Sequence, residues 1–153
     1  MFEQFVSGVE PKILEILIVS FVVGYVIGAE RESRGKDAGV STHCLVVAGS
    51  AIFAFLSLYF DPMEPARIAA QIVTGVGFLG AGIILTDKSG HITNLTTAAS
   101  IWFAASLGMA IGFGWYAVAL LAMIYAVVVP RLPHVKHGNI VHQEIHSTEP
   151  KKT

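Results

Sequence analysis

The densest chemistry in this chain lies in GAERESRGKDAGVSTH, residues 28–43. Glu30 with Arg34 and Glu32 with Lys36 are i, i+4 pairs in the favourable order, acid first. Glu30 and Arg31 stand at the edge of an apolar run, where a charge is costly unless paired. Carboxylates at Glu30, Glu32 and Asp37 are the oxygen donors a hydrated Mg2+ prefers, so Glu30 and Glu32 are the candidate metal ligands. The bland alternative is a solvated loop whose basic residues set topology.

A second group lies in ARIAAQIVTGVGFLGAGIILT, residues 66–86. At 100° per residue Arg67, Gln71, Gly75, Phe78 and Gly82 fall on one narrow stripe, mostly polar or small, and so expected to face protein rather than lipid. Gly75, Gly77, Gly80 and Gly82 would each cost about 1 kcal/mol against alanine in a helix interior. Close helix packing offsets that cost in the bland reading. In the sharper one, Gln71, Thr74 and bare glycine carbonyls line a polar path or ion site. The spacing of Gly75, Gly77 and Gly80 also fits GxGxxG, but no strand precedes it, which excludes dinucleotide binding. In HITNLTTAASIW, residues 91–102, Thr93 and Asn94 are N-cap types, and Thr96 and Thr97 lie just inside a helix start that can face an anion. Ser20, Gly24 and Gly28 recur every four residues and form a close-packing face for an internal neighbour or a homodimer.

The elements that hold these groups follow from where charge is missing. Residues 39–60, 68–86 and 89–130 contain no Asp, Glu, Lys or Arg, giving uncharged runs of 22, 19 and 42 residues. About 20 helical residues cross a hydrocarbon core, so the longest run holds two crossings, with a turn at Gly112-Phe113-Gly114-Trp115. The first span, 13–30, is expected to be retained, because MFEQFVSGVEPK lacks the basic start of a signal peptide. It should extend as a helix to about Gly35. The expected fold is an all-α integral membrane protein, a bundle of about five transmembrane helices at 13–30, 43–60, 66–86, 94–111 and 114–130. The membrane domain is 1–130, and 131–153 is a flexible cytoplasmic tail.

The odd number of spans puts the termini on opposite faces. Eight basic residues (Arg31, Arg34, Lys36, Lys88, Arg131, Lys136, Lys151, Lys152) share one face, against Lys12 and Arg67 on the other. The positive-inside rule puts the eight in the cytoplasm, with the N-terminus periplasmic or extracellular.

Composition agrees. The chain of 153 residues is 54% apolar and 14% charged, where soluble domains carry about 25% charged residues. Mean hydropathy is +0.65. Disorder is excluded, one cysteine (Cys44) makes no disulfide scaffold, and a net charge of -1 without a basic stripe argues against nucleic acid. No Ser-His-Asp order, catalytic carboxylate pair or phosphate loop is present, so no enzyme is expected. The tail carries His134, His137, His142 and His146, the last two at a metal-compatible i, i+4 spacing. Without helix support or a cysteine partner, it reads as a polar tail.

GAERESRGKDAGVSTHCLV, RIAAQIVTGVGFLGAGIIL and NLTTAASIWFAASLGMAIGFG, in that order, resemble the MgtC/SapB family of bacterial inner-membrane proteins over about residues 20–130. The resemblance implies a domain of about five spans and a non-enzymatic role linked to magnesium and ion homeostasis. Members are tied to adaptation to low magnesium and, in pathogens, to survival in macrophages. Regulation of a membrane partner such as the F-type ATP synthase is implied, with a Mg2+ channel or carrier as the alternative. By motif, the resemblance singles out Glu30, Arg31, Gly39, Thr42, Arg67, Gln71, Gly75, Gly77, Gly80, Gly82, Asn94, Thr96 and Thr97. Longer members append a C-terminal domain resembling an ACT fold, which puts any role of that domain in doubt for this sequence. The expected partners are the lipid bilayer, a second copy of the chain and a membrane protein; Mg2+ is the one ion the acids suggest.

Overall fold

The computed structural model describes residues 2–60, 62–86 and 92–132. Five helices run in chain order: α1 Phe2–Ser33, α2 Val40–Phe60, α3 Ala66–Ile83, α4 Leu95–Gly112 and α5 Tyr116–Val128. A 3-10 turn, Val129–Arg131, prolongs α5. Within these, Pro11–Ser33, α2, α3 and α4 are each long and apolar enough to cross a membrane, while Tyr116–Arg131 is shorter. The protein is a multi-pass membrane helix bundle. The sequence-derived positions Asp61, Lys88, Lys136, Lys151, Lys152 and the tail histidines lie outside the described residues.

Two stops of one design shape the bundle. At the end of α1, Gly35 takes φ +64°, its amide donates to the Glu32 carbonyl, and the Lys36 amide donates to the Arg31 carbonyl. At the end of α4, Gly114 takes φ +80°, its amide donates to the Ile111 carbonyl, and the Trp115 amide donates to the Ala110 carbonyl. Both are left-handed helix terminations that satisfy carbonyls otherwise orphaned, and glycine enters that conformation without penalty. Other boundaries depart from the sequence reading. α2 begins at Val40 rather than 43 because the Val40 amide donates to Glu32 Oε1 at 2.9 Å. α3 ends at Ile83, short of 86. Ile84 is extended, and Leu85–Thr86 (β1) pairs antiparallel with Ile92–Thr93 (β2) in a two-residue ladder. Asn94 does not cap α4 with its side chain; it sits at φ 63° and supplies its carbonyl to the Ala98 amide.

α2 packs chiefly on α1 and α4, and α3 leans on α4. One apolar cluster joins Ile16, Val23 and Ile27 of α1 to Val47, Ala51 and Phe55 of α2 and Ala104, Leu107 and Ile111 of α4. A second gathers Ala54, Ala69, Ile72, Val76, Ile101 and Ala105 around α3. Small residues let the backbones meet. A Cβ on Gly24 would stand 2.5 Å from Cys44 Cα, and one on Gly28 would overlap Val40. Gly108 and Gly112 do the same on the other side of α2, where a Cβ would run into the Val47 and Ala51 carbonyls. Ser20, on the Gly24 and Gly28 face, is fully buried.

The glycines of α3 behave differently. Gly80 meets Ala98 Cβ at 3.8 Å, but Gly75, Gly77 and Gly82 have nothing within 4 Å. α3 buries Ala69, Ile72, Val76 and Gly80, nearly opposite the stripe of Arg67, Gln71, Gly75, Phe78 and Gly82. That stripe is the exposed face, with Phe78 82% accessible. Among the described residues, no neighbour comes within 4 Å of a Cβ built on the stripe's two glycines, Gly75 and Gly82.

The ends of α1 and α5 fix their relative direction. Lys12 Nζ lies 5.2 Å over the Tyr116 ring, and Arg34 Nη1 donates to the Pro130 carbonyl at the far end. α1 and α5 therefore run parallel, as an odd number of crossings demands.

If backbone contact holds α2 in place, Gly108→Leu should lower the unfolding midpoint in mild detergent, an overpacking cost of about 1–3 kcal/mol. Gly77→Ala should leave it unchanged or raise it by about 1 kcal/mol, since open space surrounds it and alanine is the better helix former. A destabilised Gly77→Ala chain would contradict the packing described.

Candidate functional site

The polar end of the bundle is built where α1 stops, α2 and α4 start and the 3-10 turn arrives. Glu30 and Arg31 both lie in the last turn of α1 and are buried, at 5% and 2% exposure. Adjacent helical residues point about 100° apart, and these two go to different neighbours. Glu30 Oε1 lies 3.5 Å from Arg34 Nη1 and 4.0 Å from Arg131 Nε. Arg31 Nη2 donates to Thr97 Oγ1 of α4 at 3.4 Å. Arg31 Nε and both Glu30 oxygens have no hydrogen-bond partner among the described residues. The pairing lowers the cost of two buried charges at a membrane boundary, which would be high for either alone.

His43, fully buried, ties α2 into the same end. Its Nδ1 is 2.9 Å from the Gly39 carbonyl, and only an Nδ1–H can serve that oxygen. Nε2 is then an acceptor facing Ser100 Oγ at 3.4 Å. Ser100 holds a single hydroxyl proton between His43 and the Thr97 carbonyl, 2.8 Å away. Arg31, Thr97, Ser100 and His43 thus form one run of polar contacts across α1, α4 and α2.

Beside this run is a cavity of about 460 Å³. Arg31, Arg34 and Lys36 line one side, with Thr96 and Ser100 of α4; Ile27, Phe103, Tyr125 and Val129 form much of the rest. No acid among the described residues lines it, so the arrangement suits an anion.

The remaining sequence candidates scatter. Glu30 and Glu32, the expected metal ligands, have separate neighbours: the Glu32 carboxylate caps α2 at Val40, and a Cβ on Gly39 would strike the Glu32 side chain. Among the described residues, no group of three or more His, Cys, Asp or Glu could hold a metal ion. Asp37 is exposed and Thr42 half-buried. Arg67, Gln71 and Thr74 are exposed on α3, and Gln71 lines a separate groove of about 470 Å³ with Leu45, Gly49, Phe53 and Gly75. Thr96 and Thr97 diverge, the first exposed beside the cavity and the second buried on Arg31. The sequence reading missed His43 and Arg131 as members of the cluster. His43 had a readable signal, a lone polar ring inside an uncharged run; Arg131 had none.

A model of the MgtC family matches residues 17–137, a stretch that contains the whole polar end. The chain belongs to the MgtC family. It is 38% identical over 143 residues to "Putative magnesium transporter YhiD" of Escherichia coli (strain K12), covering 88% of this chain and 66% of that protein. It is 44% identical over 114 residues to "Protein MgtC" of Salmonella typhimurium (strain LT2), covering 74% of this chain and 48% of the relative. "Protein SapB" of Bacillus subtilis (strain 168) is 41% identical over 130 residues, 78% and 56% of the two chains. This family member spans about half to two thirds of the length of the curated relatives it matches. No solved structure matches it.

The two adjacent threonines separate structure from surface. Thr97→Val leaves a buried guanidinium without its hydroxyl acceptor and should cost about 1–3 kcal/mol in a detergent unfolding titration. Thr96→Val, on the exposed side, should change stability by less than about 0.5 kcal/mol. Equal losses would mean that the Arg31 contact does not hold α1 to α4.

Proposed function

We propose that this chain is a non-enzymatic protein of the bacterial inner membrane, linked to magnesium homeostasis, that acts by binding and regulating another membrane protein through α3. Its N-terminus lies outside and its C-terminal end in the cytoplasm, the side on which the positive-inside rule puts Arg31, Arg34, Lys36 and Arg131. The observation that carries the reading is the bare glycine face of α3. Gly75, Gly77 and Gly82 bring a helix-propensity cost that no contact among the described residues offsets, with nothing within 4 Å of a Cβ built on any of them. In lipid, where apolar surface alone drives little association, small residues are what let a second helix approach. By the family resemblance, the F-type ATP synthase is a partner to test first. Homodimerisation through α3 would use the same face.

The printed name of the YhiD relative favours a second reading, a Mg2+ channel or carrier. Gln71, Thr74 and Gly75 are exposed on α3, so a path lined by them needs neighbouring copies to close it. Arg31, Arg34 and Lys36 at one end of the bundle repel a cation, which ranks transport second.

Photocrosslinking from position 78 in native bacterial membranes tests the first reading. An adduct with another membrane protein, lost in Gly75→Leu while the detergent unfolding midpoint holds, is the expected result. Adducts with lipid alone would sink it. The second reading requires Mg2+ uptake by proteoliposomes above empty vesicles, reduced by Gln71→Leu.

A further inference from the structure

We propose that the cavity between α1, α4 and α5 seats an anionic phospholipid, its phosphate held by Arg31, Arg34 and Lys36 and an acyl chain laid along Phe103, Tyr125 and Val129. Four observations converge on this. Among the described residues the cavity wall has three cationic side chains and no acid, while the neighbouring carboxylate, Glu30, is ion-paired with Arg34 and Arg131. Arg31 lines the cavity although it is only 2% exposed, and its buried Nε has no hydrogen-bond partner among the described residues. A guanidinium short of partners is costly to bury, and a phosphate oxygen at the cavity-facing part of Arg31 adds a charge-assisted bond.

The first turn of α4 adds to the attraction. No side chain of Asn94 caps it, Thr96 lies at the cavity, and a helix start carries partial positive charge. The volume, about 460 Å³, falls in the range of pockets that take small ligands and headgroups.

The shape of the wall selects a lipid over free phosphate, although both offer the same anionic oxygens. A free phosphate needs only the basic side. Here the basic side continues into an apolar one, and Tyr125 and Leu132, which help line it, are 59% and 58% exposed, so the cavity reaches the outer surface of the bundle. That surface is in contact with the bilayer at the level where headgroups lie, because Arg31 and Arg34 mark the end of the apolar part of α1. An anionic phospholipid can enter sideways, without crossing water.

Native mass spectrometry of the full chain, released from vesicles of phosphatidylglycerol and phosphatidylcholine in equal amounts, tests the proposal. Phosphatidylglycerol should be retained preferentially, and each basic residue neutralised should lower that retention about fivefold. Lys36→Gln tests charge; Ala99→Phe, which fills the cavity from an exposed position on its wall, tests space without touching the buried Arg31. Both should lose retained phosphatidylglycerol, whereas Lys12→Gln at the opposite end should not. Equal retention of the two lipids, or retention unchanged in Lys36→Gln and Ala99→Phe, would overturn the assignment. A parallel arm adds sodium phosphate to lipid-free protein in detergent. If inorganic phosphate raises the unfolding midpoint as much as phosphatidylglycerol does, the site belongs to a free phosphate and the lipid assignment falls.

Discussion

α2 has to lie at backbone distance from two helices at once. On one side Gly24 and Gly28 bring α1 to the Cys44 and Val40 main chain; on the other, Gly108 and Gly112 bring α4 to the Val47 and Ala51 carbonyls. Lipid tails are as apolar as leucine, so a membrane helix gains little from burying hydrophobic surface and much from dispersion at short range. The rest of the arrangement inherits this spacing. With α1 and α4 both drawn onto α2, the end of one and the start of the other come close enough for Arg31 to reach Thr97, and His43 can span to Ser100.

The crossings were legible because the absence of charge over some twenty residues is a property of composition, insensitive to neighbours. Their ends were less so. The start of α2 depends on the Glu32 carboxylate eight residues back, a tertiary contact that local capping patterns do not contain. The end of α3 had a readable warning in the turn-type pair Ser89 and Gly90, but the hydropathy of Ile83, Ile84 and Leu85 masked it. Spacing marked small-residue faces while leaving open what each meets: Gly24 and Gly28 find α2, whereas a Cβ on Gly75 or Gly82 would meet nothing within 4 Å among the described residues.

The polar end divides in the same way. Glu30 and Arg31 stood out in the sequence as charges at a membrane boundary. Which partners they have rests on residues roughly seventy and a hundred positions away, Thr97 and Arg131, and no local pattern encodes that. Glu30 and Glu32, read together as metal ligands, have different neighbours. One faces inward to arginines, and the other turns across to the amide that begins the next helix.

The last helix is the short one. Tyr116–Arg131, including its 3-10 turn, rises about 26 Å, against a hydrocarbon core of about 30 Å. A stretch too short for the local thickness is met by thinning of the bilayer beside it or by side chains reaching outward. Pro130 and Arg131 terminate it next to the guanidinium of Arg34, so bilayer thinning along this helix would lie against the basic end of the protein. Such thinning would draw water and polar headgroups inward on this flank, and the electric field across the membrane would fall over a shorter distance there.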